Sequence, residues 1–522
     1  MLFRSQLYAF TSLPMGLTSS PRIFTKVLKP VFSYLRSQFG HTCLGYIDDS
    51  FYLEDSYTEC EEATLRAIQL FVNLGFKIHP EKSVIIPTQI LEFLGFILNS
   101  ILMSVTLTNK KAVKILQLCQ KFSLPNKRFT IREVASFLGT LVSSFPGVEF
   151  GPLHHRHIEA DKEANLKLNQ GNFDSFMTLS HDSLEEIHWW SANILTASRR
   201  IFHNSPDVVV YTDASQMGWG AQIEHGYNTS GIWSKSESSR HINYLELFAV
   251  KLALSSLLDA RNNIHVRVMS DNNTAVSYIN SMGGCRSFEC NSIAKDIWDW
   301  AVDKDIWLTA AHIPGSSNID ADQLSRNLNL DLEWMLSAPI FQRIVDLFGK
   351  PDIDLFASRL NAQVKDYVSW KPHPMAKFVD AFTIDWSQFF FYAYPPFCLV
   401  SRCVQKIIHD QASGILVIPL WTTQPYFTAV LSLLTETPRV FNASVQNLIH
   451  PTLDGPHPLH QRLQLMVCKL SGDPCKSLRF RQTLSTLSCI HGETALRNNI
   501  KCTSTSGCSF AVKERMIRCI PL

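Results

Sequence analysis

The stretch Val208-Val209-Val210-Tyr211-Thr212-Asp213 is a β-branched run ending in an acid, and the small and aromatic residues Ala214-Ser215-Gln216-Met217-Gly218-Trp219-Gly220-Ala221 follow it. The pattern predicts strand, turn, strand, with Asp213 at a strand end. Alone, an aspartate there reads equally as a turn residue. Working outward, Asn243 to Leu258 has helical periodicity through Leu245, Phe248, Leu252 and Leu257, with Glu246 in the first turn, where the helix dipole also favours an acid. Val266-Arg267-Val268-Met269-Ser270-Asp271 repeats the strand-ending aspartate, and Asn272 to Ile279 resumes as a helix. Ile306-Trp307-Leu308-Thr309-Ala310-Ala311-His312 then leads into Ile313-Pro314-Gly315-Ser316-Ser317-Asn318, and Asp322 opens the helical run Ala321-Asp322-Gln323-Leu324-Ser325-Arg326.

Each signal is weak singly, but their order over little more than a hundred residues resembles the ribonuclease H family. The resemblance implies a domain over residues 205–335, a mixed sheet with flanking helices. It implies Asp213, Glu246, Asp271 and Asp322 as ligands of two Mg²⁺ ions, and His312 as a mobile-loop histidine near the scissile phosphate. The implied activity is endonucleolytic cutting of RNA in RNA–DNA hybrids. The residue types suit that chemistry, because one ion lowers the pKa of the attacking water while the other neutralises charge on the leaving oxygen. Oxygen ligands accept Mg²⁺ or Mn²⁺. Outside its Ala-His-x-Pro-Gly-x-x-Asn setting, a histidine after a strand would read as structural.

At 522 residues the chain exceeds what one core serves, so roughly two to four domains are expected. A hydrophobic share of 46% with 18% charged residues fits folded α/β and α+β domains and excludes a disordered chain. The formal net charge of +2 gives no global basic signal, so nucleic-acid contact must come from local patches. Phe389 to Val400 is too short for a membrane span and carries Pro395 and Pro396, and Met1 to Phe10 lacks a signal-peptide core. These features predict a soluble intracellular protein of cytoplasm or nucleus, neither secreted nor in a membrane. Thirteen cysteines without a Cys-x-x-Cys pair read as reduced thiols and not as structural zinc ligands.

Nearer the N-terminus, Leu44-Gly45-Tyr46-Ile47-Asp48-Asp49-Ser50-Phe51-Tyr52-Leu53 places two adjacent carboxylates at a break between apolar stretches, as a hairpin tip would. Such a pair is either a solvated turn or, beside a phosphate substrate, a Mg²⁺ site. Leu13-Pro14-Met15-Gly16-Leu17-Thr18-Ser19-Ser20-Pro21 stands upstream, and Asn73-Leu74-Gly75-Phe76 and Phe93-Leu94-Gly95-Phe96 stand downstream. In this order the segments resemble retrotransposon reverse transcriptases, which implies a palm fragment over residues 1–108. That family needs a further aspartate on a preceding strand, and nothing acidic precedes Asp48. The expectation is a palm without fingers or first catalytic strand, inactive as a polymerase alone but an RNA-directed DNA polymerase if upstream sequence completes it. Asn109 to Phe122 reads as an amphipathic helix with Val113, Leu116 and Phe122 inward and Lys110, Lys111, Lys114 and Lys121 on the remaining surface. It opens a helical thumb and connection over residues 109–204 that could track phosphates, or present an ordinary solvated face. His154, His155 and His157 read as surface residues, and Glu159 to Asn204 as a helical connector.

Beyond Ala338-Pro339, strand-like runs at Asp352–Ser358, Val379–Phe382, Ala393–Phe397 and Ile415–Pro419 alternate with helical ones such as Leu399 to His409. They resemble phage-type adenine-N6 DNA methyltransferases, implying a Rossmann-like domain over residues 340–440 in which Asp354 marks an S-adenosylmethionine site or is a structural acid. Tyr394 stands where that family carries an amide or carboxylate before Pro-Pro-aromatic, which argues against amine activation. Polymerase, ribonuclease H and methyltransferase-like segments in this order resemble DIRS-type retrotransposon polyproteins. Residues 441–522, with Arg479, Arg481 and Arg497, read as a tail of unspecified structure. Two rivals remain: a silent nucleic-acid-binding remnant, and methyl transfer from S-adenosylmethionine.

Overall fold

The computed structural model describes residues 2–3, 6–7, 13–14, 16–124, 127–330, 333–485, 508–513 and 515–522. Met15 of the Leu-Pro-Met-Gly loop and Arg497 of the tail lie outside the described residues. The chain forms two compact units, Met1–His203 and Asn204–Leu522. Among the described residues no helix is long and apolar enough to cross a membrane.

In the first unit α1 (Ser20–Phe39) starts on Pro21, whose missing N–H costs nothing in a first turn, and stops at Gly40, whose φ of 74° suits glycine. Its Leu28, Val31, Phe32 and Leu35 recur at helical spacing and share a core with Cys43 and with Ala67 and Phe71 of α2 (Tyr57–Asn73). Cys43 belongs to β1 (Thr42–Tyr46), which pairs antiparallel with β2 (Asp49–Leu53). Gly45 lets the Phe32 ring lie directly on β1, since a Cβ there would be 2.1 Å from that ring and would force it to move.

Farther on, β3 (Ile90–Phe93), β4 (Phe96–Asn99) and β5 (Ser104–Leu107) form an antiparallel meander. Helices α3 (Asn109–Phe122), α4 (Ile131–Val142), α5 (Arg156–Leu168) and α6 (His181–Asn193) gather Ile115, Cys119, Phe137, Ile158 and Trp190 into one core. Three expectations need correction here. The buried face of α3 is Ala112, Ile115, Cys119 and Phe122, and Val113 is 37% exposed, so the phase read from Val113 and Leu116 is one residue off. The histidines are not a surface cluster: His155 is buried, His157 Nδ1 lies 2.8 Å from Glu186 Oε1, and His154 stacks on Trp189. Lastly, the connector contains β6 (Ser198–Arg200), which extends the meander beside β5 because that edge still had unpaired backbone groups.

The second unit holds two larger sheets. β7 (Val208–Ala214), β8 (Gly218–Ile223) and β9 (Asn228–Ile232) are antiparallel, and β10 (His265–Ser270) and β11 (Trp307–His312) continue parallel to β7, in the order β9-β8-β7-β10-β11. Between them run α7 (Lys235–Ser238), α8 (Ile242–Leu257), α9 (Asn273–Asn280) and α10 (Phe288–Asp303), and α11 (Ile319–Arg326) follows. Gly220 lets α11 lie directly on β8, since a Cβ there would be 2.6 Å from Ala321 O and from Ser325 N.

After α12 (Ala338–Phe348), the second sheet begins with β12 (Ile353–Asp354), β13 (Phe390–Ala393) and β14 (Ser413–Pro419), all parallel. It continues through β15 (Arg439–Asn442), β16 (Gln464–Ser471), β17 (Cys508–Val512) and β18 (Arg515–Pro521), in the order β12-β13-β14-β16-β15-β18-β17. The described residues after 440 are therefore no separate tail: β16 pairs along the whole of β14, and its Leu465, Val467 and Leu470 are core residues. A boundary at residue 440 would cut the sheet through β15 and strip β14 of its partner.

Candidate metal centre

Parallel pairing of β7 with β10, in the register Tyr211 to Met269, brings their C-terminal ends side by side. Asp213 lies one residue before the end of β7 and Asp271 immediately follows β10. Glu246 reaches the same point from α8, but not from its first turn as expected: His241 caps the helix and Glu246 is its fifth residue. Asp213 and Glu246 are each only 4% exposed. Ligand atoms of Asp213, Glu246 and Asp271 all lie within 4.8 Å of one another. Burial pushes Asp213 up to about 6, opposed by a hydrogen bond from Ser325 and helped by the charges of Asp271 and Asp322. Burial pushes Glu246 up to about 9, with the charges of Asp213 and Asp271 adding to it. One Glu246 oxygen, Oε2, is buried without a hydrogen-bond partner.

Three acids crowded together with an orphaned oxygen form a donor set that a hard divalent cation satisfies, replacing repulsion with coordination. The oxygen-only ligands fit Mg²⁺ or Mn²⁺.

Asp322 is not in the group of three. On α11 its Oδ1 accepts a 2.6 Å hydrogen bond from Arg326 Nε, one turn ahead. A guanidinium within easy reach on the same helix face outcompetes a position beside two buried carboxylates. The pair is 64% and 40% exposed and so worth at most about 1 kcal/mol. Asp322 is near enough for its charge to raise Asp213. His312 is the last residue of β11, exposed, with Nε2 donating to the Asp271 carbonyl at 3.0 Å. It stands at a strand end instead of within a loop. The loop after it is pressed onto the site: a Cβ on Gly315 would be 2.8 Å from Asp271 Oδ2, and Asn318 Nδ2 donates to Thr212 O at 2.9 Å.

Ser325, unremarked in the sequence reading, is fully buried and donates to Asp213 Oδ2 at 2.6 Å. The available signal was its spacing, three residues after Asp322 and on the same face of α11.

In the first unit Asp48 and Asp49 sit exposed at the β1–β2 hairpin tip. Ile47 has φ of 55°, a left-handed conformation that costs a β-branched residue about 1–3 kcal/mol and is stored most often at functional turns. Among the described residues no third His, Cys, Asp or Glu joins the pair in a metal-sized group. The lysine stripe is only half available. Lys110 and Lys114 are exposed, but Lys111 Nζ donates to Ser143 O and lies 3.9 Å from the Phe96 ring centroid, and Lys121 donates to Glu133 Oε1 at 2.9 Å.

In the third region Asp354 is buried at the end of β12, and burial pushes it up to about 7. Its Oδ1 and Oδ2 accept from the backbone amides of Phe356 and Gln363, so the carboxylate already organises the loop that follows it. Burial also raises the Tyr394 phenol, leaving it a neutral donor.

The family model for reverse transcriptase (RNA-dependent DNA polymerase) matches residues 2–98. The chain is 28% identical over 132 residues to the Gag-Pol polyprotein of Koala retrovirus, covering 25% of this chain and 7% of that protein. It is 30% identical over 93 residues to the retrovirus-related Pol polyprotein from transposon opus of Drosophila melanogaster, covering 18% and 9%. The chain thus carries a reverse transcriptase domain and is related to retroviral and transposon Pol polyproteins, of whose length it spans under a tenth. Similar solved structures include the foamy viral protease-reverse transcriptase in complex with double-stranded DNA, at 16% identity and TM-score 0.31 over 58% of this chain and 60% of that one. Another is the LC11 ribonuclease H1 in complex with an RNA/DNA hybrid, at 22% identity and TM-score 0.20 over 23% and 93%.

Proposed function

We propose that this chain is a retrotransposon-derived reverse transcriptase and ribonuclease H fragment, of DIRS type, that hydrolyses RNA in RNA–DNA hybrids by a two-metal mechanism. The observation that carries the reading is the buried trio Asp213, Glu246 and Asp271, with ligand atoms within 4.8 Å and an unpartnered Glu246 oxygen. These three would hold one Mg²⁺, and Asp213 with Asp322, once released from Arg326, the second. When bound, the ions would activate the attacking water and neutralise the leaving oxygen. The chain's own part is to orient the acids: Ser325 fixes Asp213, and the Gly315–Asn318 turn confines Asp271. His312, exposed and bonded to the Asp271 carbonyl, would exchange a proton with the departing product. Purified Asp271→Asn protein should lose Mg²⁺-dependent hybrid cleavage; retained cleavage would overturn the assignment.

The polymerase half is inactive in this chain, a reading supported by the lack of any described third acid beside Asp48 and Asp49. Template-dependent, Mg²⁺-dependent primer extension would refute it. Lys110 and Lys114 remain candidates for phosphate contact. Residues 340–440 are a methyltransferase-like relic that transfers no methyl group, a reading supported by both Asp354 oxygens being bonded to backbone amides. Calorimetric binding of S-adenosylmethionine would count against that. A second reading, a silent hybrid-binding remnant, is favoured by the Asp322–Arg326 pairing. Salt-dependent hybrid binding without cleavage would establish it.

A further inference from the structure

The sheet that carries the acids ends at β9, and the region beyond residue 333 packs against that end. The Thr229 hydroxyl, fully buried, donates to the Pro372 carbonyl. Two residues on and therefore on the same face, Gly231 leaves room for two aromatic rings: a Cβ there would be 2.8 Å from Trp219 Nε1 and 3.2 Å from His373 Nε2. His373 is itself held by the Tyr367 hydroxyl, 3.2 Å from Nδ1.

Beside this contact Arg359 makes a forked pair with Glu237, Nη1 to Oε1 at 2.7 Å and Nη2 to Oε2 at 2.8 Å, with both side chains only 17% exposed. Glu237 is also the acid of the capping box that starts α7, its Oε2 accepting from the Ser234 amide at 2.8 Å. The Arg359 guanidinium lies 5.8 Å from the ring centroid of Phe248 on α8, and Phe248 stacks on buried Trp233. Trp233 Nε1 in turn donates to the carbonyl of Ser215, two residues past Asp213. Phe248 is two residues past Glu246 on the same helix. A continuous set of contacts therefore runs from Arg359 to the two elements that present Asp213 and Glu246.

We propose that the third region acts as a positioning brace for the nuclease: Arg359, forked onto Glu237 and lying by Phe248, fixes the Trp233–Phe248 stack and with it the placement of α8 against β7. This rests on the nuclease reading above. Arg359 is a positioning residue, since it touches none of the acids. A fork is needed because two parallel hydrogen bonds fix an angle that a single ammonium contact leaves free. The relic region, with its Asp354 oxygens already committed, is held to the chain by this mechanical task.

The test uses the full chain. Arg359→Ala should lower kcat for hybrid cleavage about tenfold with KM little changed, because displaced acids lose transition-state and not ground-state contacts. Glu237→Gln should do the same, and the double variant should fall no further than either single one. Amide hydrogen exchange over residues 242–257 should quicken in all three. Arg359→Lys, which keeps the charge and a folded interface but not the fork, should show a smaller loss of the same kind. Unchanged kcat and unchanged exchange in Arg359→Ala would overturn the brace, as would full additivity of the two single variants. If the unmodified chain cleaves nothing, the nuclease reading falls, and exchange over 242–257 alone decides whether Arg359 braces α8.

Discussion

Ser325 donates a 2.6 Å hydrogen bond to Asp213 Oδ2, joining α11 to the strand-end acid across 112 residues of sequence. The bond gives a buried carboxylate a donor where its other neighbours are acids. Replacing Ser325 with alanine should cost about 1–3 kcal/mol of stability in urea unfolding, because an ionised group then stays buried without its partner. The Mg²⁺ concentration for half-maximal cleavage should rise. An unaltered unfolding midpoint and metal requirement would refute this.

Asp213 and Glu246 are raised to about 6 and about 9, and the sign of the resulting pH effect follows from proton counting. Between their ordinary values and these raised ones the folded chain binds more protons than the unfolded chain, so stability falls as pH rises. The metal-free protein should therefore lose Tm steadily from about pH 4.5 to about pH 9, most of it through Glu246. Mg²⁺ should flatten the upper part of the profile, and Glu246→Gln should flatten it without metal. A Tm independent of pH over that range in the metal-free chain would contradict the crowding of these acids.

Arg326→Ala should release Asp322 toward the other acids. The lost pair is exposed, so stability should change by no more than about 1 kcal/mol. Half-maximal cleavage should need less Mg²⁺. A greater requirement in the titration would mean that Arg326 serves the site instead of competing for Asp322.

Gly220→Ala should destabilise the chain by about 1–3 kcal/mol, since the added methyl meets the backbone of α11 and not a yielding side-chain tip. The helix carrying Asp322 and Ser325 should shift, and cleavage should drop along with the thermal midpoint. Wild-type stability in Gly220→Ala would mean that α11 does not lie directly on β8 at Gly220.

Local chemistry made much of this legible from residues alone. Strand-end acids Asp213 and Asp271 stand where β-branched runs stop, because branching and alternation act within a few residues. The Asp48-Asp49 tip was legible for the same reason, since a hairpin turn is decided by its own short loop. The phase of α3 was not legible: Val113 and Ala112 are both apolar, and only the neighbouring helices select which one is buried. Likewise the three histidines read as surface residues, and only Glu186 and Trp189, about thirty residues away, give His157 and His154 partners within the fold.

Sequence by itself determined which acids stand at strand ends and the order of the polymerase-like, nuclease-like and third segments, because those properties follow from covalent neighbours and side-chain chemistry. Tertiary structure alone decided that three acids meet while Asp322 turns to Arg326, that Ser325 serves Asp213, and that Arg359 clasps Glu237. It also decided that the second large sheet runs on to residue 521. Except for Arg326, one turn from Asp322, the partners lie far apart along the chain, and distance, burial and charge that exist only after folding settle which of them meet.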